Sequence, residues 1–223
     1  MTATVTTGDT SEDRQQEGTM FVEVIKATVT DRELLRRQWT RWGTELEPGA
    51  GGFLGATAGV GGDGTFMAMV RFDSAEAASR NATRAEQTRW WVETMGCLRD
   101  IELHDCTETE QWNNGGSDAA GFVQIRQGVS NDPARLRDLY VNQQPHRMGP
   151  HRPEVLGGLF AWHPNGGFTL SAYFSSLEAA REGEQLDEFK SFFDDINAVM
   201  QDLIYVDLVD PWLSSGPRVV AVG

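Results

Sequence analysis

Shifted against itself by 102 positions, the chain repeats. Residues 54–78 (LGATAGVGGDGTFMAMVRFDSAEAA) fall without a gap on residues 156–180 (LGGLFAWHPNGGFTLSAYFSSLEAA). Over 54–105 against 156–207, twelve of fifty-two positions are identical, where average residue usage gives about 6% by chance. Changes keep their character: Trp90 and Trp91 fall on Phe192 and Phe193, and Ile101 on Leu203. Upstream, Phe21-Val22-Glu23-Val24 matches Phe122-Val123-Gln124-Ile125 with the offset reduced by one. A period near 100 residues is too long for a solenoid, so the repeating unit is a small domain and the chain a tandem duplication.

Each copy reads strand, helix, strand, strand, helix, strand. In the first, Phe21–Val29 alternates and is rich in β-branched residues, a strand pattern. Thr30-Asp31-Arg32-Glu33 is a capping box, followed by Leu35, Trp39 and Trp42 at helical spacing. Phe53–Val60 and Thr65–Phe72 flank Gly61-Gly62-Asp63-Gly64, a hairpin composition. Asp73-Ser74-Ala75-Glu76 opens a second helical region carrying Trp90, Trp91, Met95 and Leu98, and Ile101–Thr107 closes the unit. The second copy follows with Phe122–Val129, a helix opened by Asp132 and Pro133, strands at Val155–His163 and Gly167–Phe174, a helix from Ser175-Ser176-Leu177-Glu178, and a strand at Leu203–Val209. The division expected is a disordered tail at 1–19, a unit at 20–112, a linker at 113–120, a second unit at 121–213 and a tail at 214–223, where Val219, Val220 and Val222 suggest a short edge strand.

This order specifies an α+β fold of two ferredoxin-like βαββαβ units, each an antiparallel sheet with both helices on one face. The other face needs cover, and the second copy is tethered to supply it, so two sheets meet in a pseudo-dimeric α/β barrel. With Val22 and Val24 turned toward the helices, Phe21, Glu23 and Ile25 would lie between the sheets, as would Phe122, Gln124 and Arg126. In element order, duplication and the strand–S/D-x-x-E–helix junctions at 72–76 and 174–178, the sequence resembles the dimeric α/β-barrel superfamily over about residues 20–213, and most closely its antibiotic-biosynthesis-monooxygenase-like group. The resemblance implies a barrel made inside one chain where single-copy members dimerise. It also implies a range of activities, from cofactor-free oxygenases of polycyclic phenols to haem enzymes, isomerases and proteins without known chemistry.

Composition narrows the partners. Nineteen basic against thirty-three acidic residues, a net charge of -14, is the wrong balance for phosphate contacts or an anionic membrane surface. Two cysteines rule out a disulfide framework and a four-thiolate metal site, and Cys97 and Cys106 are expected as buried thiols. No apolar run approaches the roughly 20 residues that span a bilayer, and residues 1–19 have no apolar core of a secretory signal. A cytoplasmic protein with a small-molecule partner, and neither nucleic acid nor membrane, is expected; a homodimer beyond the internal pseudo-dimer stays open.

Three residue sets are candidates for chemistry. Residues 142–153 of the second copy concentrate His146, Arg147, His151 and Arg152, whereas the first-copy counterpart, Thr44 to Gly51, has no His or Arg. His146 or His151 would serve as general base and Arg147 or Arg152 as oxyanion partner, against the alternative of a Pro-stiffened surface loop. A second set, Tyr173 with Arg126, Gln124 and Arg71, would line a cavity for an aromatic or phenolic ligand, or else form a polar network sealing the sheets. His104 and Glu102 are placed beside Arg71. Trp39, Trp42, Trp90 and Trp91 offer an aromatic pocket, though their helical spacing suits core packing first. Gly59-Val60-Gly61-Gly62-Asp63-Gly64 matches a dinucleotide fingerprint, but a strand follows it, so it reads as a hairpin turn. No metal and no cofactor are called for. The leading expectation is a small-molecule enzyme, resembling cofactor-independent monooxygenases of secondary metabolism, that deprotonates a phenol or enol. The alternatives are a non-catalytic barrel and a haem-binding barrel.

Overall fold

The computed structural model describes residues 20–113, 115–149 and 151–215. The tail at 1–19 and the valines beyond residue 215 lie outside them.

The first copy builds β1 (Phe21–Val29), α1 (Arg32–Arg41), β2 (Phe53–Val60), β3 (Thr65–Phe72), α2 (Ala75–Ala82), α3 (Ala85–Met95) and β4 (Leu98–Cys106). After it comes β5 (Glu108–Trp112). The second builds β6 (Phe122–Ser130), α4 (Pro133–Arg137), α5 (Gln144–Met148), β7 (Val155–Trp162), β8 (Gly167–Phe174), α6 (Leu177–Glu184), α7 (Lys190–Ala198) and β9 (Met200–Leu208), followed by β10 (Trp212–Ser215). The repeat shows in local devices as well as in order. Asp31 and Asp132 cap α1 and α4 at 2.8 and 3.0 Å, and Ser74 and Ser176 cap α2 and α6 at 3.2 and 3.1 Å. Asp31, not Thr30, is the cap, because the Thr30 N–H is still bonded to the Cys97 carbonyl at the sheet edge. Asp100 and Asp202 both stand at φ 51° where the edge strands β4 and β9 slip register against β1 and β6, a bulge at an edge that Asp tolerates. The glycine-rich segment at 59–64 is the β2–β3 turn, with Gly64 at φ 87°.

The strands form two five-stranded sheets, β10-β2-β3-β1-β4 and β5-β7-β8-β6-β9, with every pairing antiparallel. β5 and β10 were not foreseen, and each crosses to the other copy's sheet: β5 pairs with β7, and β10 with β2. Trp112 of β5 lies flat on Gly158, where a Cβ would come within 1.7 Å of its ring. Trp212 of β10 is buried against Trp39 and Phe66, ring centroids 6.0 and 6.2 Å away.

Three buried clusters result: one between each sheet and its helices, and one between the sheets. The inter-sheet core holds Val22, Val24, Met67, Met69, Cys106, Val123, Ile125, Leu159, Tyr173 and Leu208. The face assignment expected for β1 and β6 is therefore reversed: Phe21, Ile25 and Phe122 pack under the helices. The cause is register. Val22 pairs with Arg71 and Val24 with Met69, and cross-strand partners share a face, so Val22 and Val24 go where Met69 goes. Both cysteines are buried free thiols. Among the described residues no helix is long and apolar enough to cross a membrane.

Because each sheet contains a strand of the other copy, the halves are expected to unfold together. Trp212→Ala should cost about 3–5 kcal/mol, the range for removing a buried aromatic ring, with one cooperative urea transition by both fluorescence and circular dichroism. Two separate transitions would show the exchange to be energetically minor.

Candidate functional site

Under the helices of the first copy the packing is incomplete. A cavity of about 270 Å³ lies between β1, β4 and the three helices, walled by Trp39, Trp42, Trp90 and Trp91 and floored by Ile25 and Val70. Helical spacing put the four tryptophans on the inward side, as a core reading requires; the space they leave was not visible in that spacing. Trp42 opens a π-helical stretch, Trp42–Leu46, that continues α1, a widened turn that is frequent at functional sites. The rings are held by their own donors: the Trp42 Nε1–H donates to Gln87 Oε1 and the Trp90 Nε1–H to the Gln38 carbonyl, each at 2.8 Å. Trp90 contacts Trp42 and Trp91 at centroid separations of 6.4 and 5.9 Å.

Two carboxylates line this space, Glu23 half-buried and Asp105 exposed at its rim. Glu23 of β1 and Asp105 of β4 are directly paired across the strands, so both point to the helix side, and both line the cavity. Burial pushes the Glu23 carboxyl up to about 7, and the neighbouring Asp105 charge adds to the effect. A carboxyl that titrates near neutrality is a proton acceptor matched to its working pH. Glu23 escaped sequence reasoning because it was turned to the wrong face.

The second copy fills the equivalent space. Gln124 stands for Glu23, Tyr140 for Trp39, Phe192 and Phe193 for Trp90 and Trp91, and Asp207 for Asp105. Arg126, in the place of Ile25, donates to Gln124 Oε1 at 2.9 and 2.7 Å and to the Tyr140 hydroxyl at 3.0 Å. Gln124 in turn donates to Asp207, which also pairs with Arg181. Arg152, in the place of Ala50, is 2% exposed and paired with Glu154. Its guanidinium lies against Gly183, whose first-copy counterpart is Asn81; a Cβ on Gly183 would come within 2.2 Å of it. About 30 Å³ remains, room for one water.

The structure does not bring the expected catalytic groups together. His146 and His151 are exposed, at α5 and the turn beyond it, with His151 beside the Phe189 ring; the side chain of Arg147 lies outside the described residues. Tyr173 is fully buried between the sheets, its hydroxyl 2.5 Å from Thr57 Oγ1 of the other copy and 3.3 Å from Ser171. Gln124 and Arg126 belong to the filled space on the opposite face, together with Arg152. Arg71 donates to the Ser214 carbonyl of β10 at 3.1 Å. It meets neither His104 nor Glu102: Glu102 pairs with Lys26, and His104 stacks on His163 at 3.8 Å. Burial and the neighbouring His104 hold His163 down to about 4, so His163 is neutral at ordinary pH.

Neither cavity has a histidine in its lining, so the residues present do not fit a haem held through an axial imidazole. Among the described residues no group of three His, Cys, Asp or Glu side chains is placed to hold a metal.

No family model matches the chain, and no curated protein matches it. Solved structures do. A candidate monooxygenase from Lactobacillus acidophilus NCFM superposes with a TM-score of 0.67 at 13% identity, covering 89% of this chain and 97% of its own. An anthrone oxidase-like protein gives 0.64 at 11%, covering 93% and 98%. A major regulator of staphylococcal pathogenesis gives 0.52 at 10%, covering 84% and 97%. At these identities the likeness is one of fold. The chain shares with these proteins the two-sheet, pseudo-dimeric ferredoxin-like fold.

Proposed function

We propose that the chain is a small-molecule enzyme of the cofactor-independent monooxygenase type, with its site in the first-copy cavity and Glu23 as the general base. One observation carries this: a carboxyl raised to about 7 inside an indole-lined cavity. The residues Asn81 and Gln87 engage their amide oxygens with Arg84 and Trp42, which leaves their N–H groups to orient a ligand.

Magnitudes favour this base. Taking a proton from a phenol, pKa about 10, costs about 8 kcal/mol with an ordinary glutamate but only about 4 kcal/mol with one at 7. The tryptophan rings cover much of the wall with apolar surface, which limits the solvation of the base and of the anion formed. The neighbours' names suggest the oxidation of an activated methylene. In that reaction a C–H proton passes to Glu23 and the carbanion's electrons reduce dioxygen. The methylene loses both hydrogens and becomes a carbonyl; one oxygen atom enters that carbonyl and the other leaves as water. The substrate supplies all the electrons and Glu23 moves only protons.

Two outcomes test the base. With anthrone as probe, oxygen uptake should rise with pH through an apparent pKa of about 7, and Glu23→Gln should lower it by about 10²–10⁴-fold. Uptake no faster than in protein-free buffer, or unchanged in the variant, would sink the proposal.

Stability should move the opposite way. Glu23 is protonated in both folded and unfolded states below about 4.5 and ionised in both above about 7, so its burial costs nothing at low pH and about 3 kcal/mol at high pH. Glu23→Gln should therefore be more stable than the parent in urea at about pH 8 and equal to it at about pH 4. Equal stability at both values would show the carboxyl to be solvated.

A further inference from the structure

The charge of the first-copy cavity has one sign. Its described lining contains Glu23 and Asp105 and no Lys, Arg or His. Charges behind the lining are already engaged: Arg84 holds Asn81, and Arg41 pairs with Glu93 between α1 and α3. An anion formed here by proton transfer to Glu23 would face the Asp105 carboxylate and no cation. A pair of acids with no cation in the lining, among four indoles, is instead the composition of a cation site, since indole faces attract positive charge.

The second copy shows what the same space accepts. Where the first copy has Ile25 and Ala50, the second has Arg126 and Arg152, and their guanidinium groups occupy the volume. Arg126 donates to the counterpart of Glu23, donates to the counterpart of Trp39 and lies 5.5 Å from the centroid of the Tyr205 ring. The duplicated fold thus carries its own cation in one copy and lacks it in the other.

We propose that the first-copy cavity takes an aromatic ligand bearing a positive charge, a protonated or quaternary amine, seated between the tryptophan rings and the Glu23–Asp105 pair. This rests on the cavity being the ligand site, and it names the substrate class of the proposed reaction. When such a substrate gives its proton to Glu23, the anion formed is neutralised by the ligand's own ammonium group. The net charge of the site does not change in that step.

The test uses the full chain and three probes of similar size, followed by tryptophan fluorescence: benzyltrimethylammonium, benzyl alcohol and phenylacetate. The cation should bind at least about tenfold more tightly than either of the others. Its charge is fixed, so the pH dependence belongs to the protein. Affinity should rise about tenfold from about pH 6 to about pH 8 as Glu23 ionises. Asp105 is the other titratable group in the described lining, and Asp105→Asn should keep a rise with pH that Glu23→Gln abolishes. Both variants, each checked for folding by circular dichroism, should weaken binding of the cation. If benzyl alcohol or phenylacetate binds as tightly as the cation, the inference fails while the cavity stands as a ligand site. If no probe perturbs the tryptophans, the cavity reading fails and takes the inference with it.

Discussion

A ferredoxin-like sheet with helices on one side leaves its other face bare, and in this chain the other copy must cover it. That contact is built from aliphatic and methionine side chains of both sheets, with Tyr173 reaching from the second copy to Thr57 of the first. Burying a hydroxyl pair there is acceptable because each satisfies the other. The exchanged strands β5 and β10 then extend each sheet with main chain from its partner. With the two inner faces covering each other, the space left for a ligand is on the outer side of each sheet, under the helices.

Those two outer spaces begin as equivalents and end as opposites. The first is hollow and holds a carboxyl that burial holds toward its protonated form; the second is packed with two arginines, each hydrogen-bonded or paired. Besides the aromatic exchanges, the wall differs at Ile25 against Arg126, Ala50 against Arg152, Asn81 against Gly183, and Glu23 against Gln124. Gly183 shows the logic, since the absence of its side chain is what admits the Arg152 guanidinium. A filled cavity regains the dispersion contacts that a hollow one forgoes, so the second copy is the more tightly packed of the two.

Much of this was legible in the sequence, and the parts that were not have physical reasons. The duplication, the element order and the caps at Asp132, Ser74 and Ser176 follow from spacing and local chemistry, and the structure keeps them, while the first cap moves from Thr30 to Asp31. The faces of β1 and β6 did not follow, because alternation alone does not say which set is buried; pairing Val24 with Met69 settles it, and that pairing needs the register. The strands β5 and β10 are five and four residues long, and their partners lie in the other copy, so no local pattern marks them. The tryptophans were visible, but a helical stripe looks the same whether it closes a core or walls a cavity. His146 and His151 drew attention by residue type, in a segment whose helix and turn leave both of their side chains exposed.

Fusion itself explains why the two sites could part. In a symmetric dimer of single copies one sequence builds both cavities, so a substitution that hollows one hollows both and its cost in stability is doubled. Burying Glu23 costs about 3 kcal/mol once ionised, by the same linkage that sets its pKa, against a total stability of only about 5–15 kcal/mol for a typical domain. Borne once, that is tolerable; borne twice, it takes a large share of the margin. A tandem chain carries the buried carboxyl in one copy and a filled cavity in the other, and the exchanged strands and inter-sheet core couple the two so that the packed half supports the hollow one.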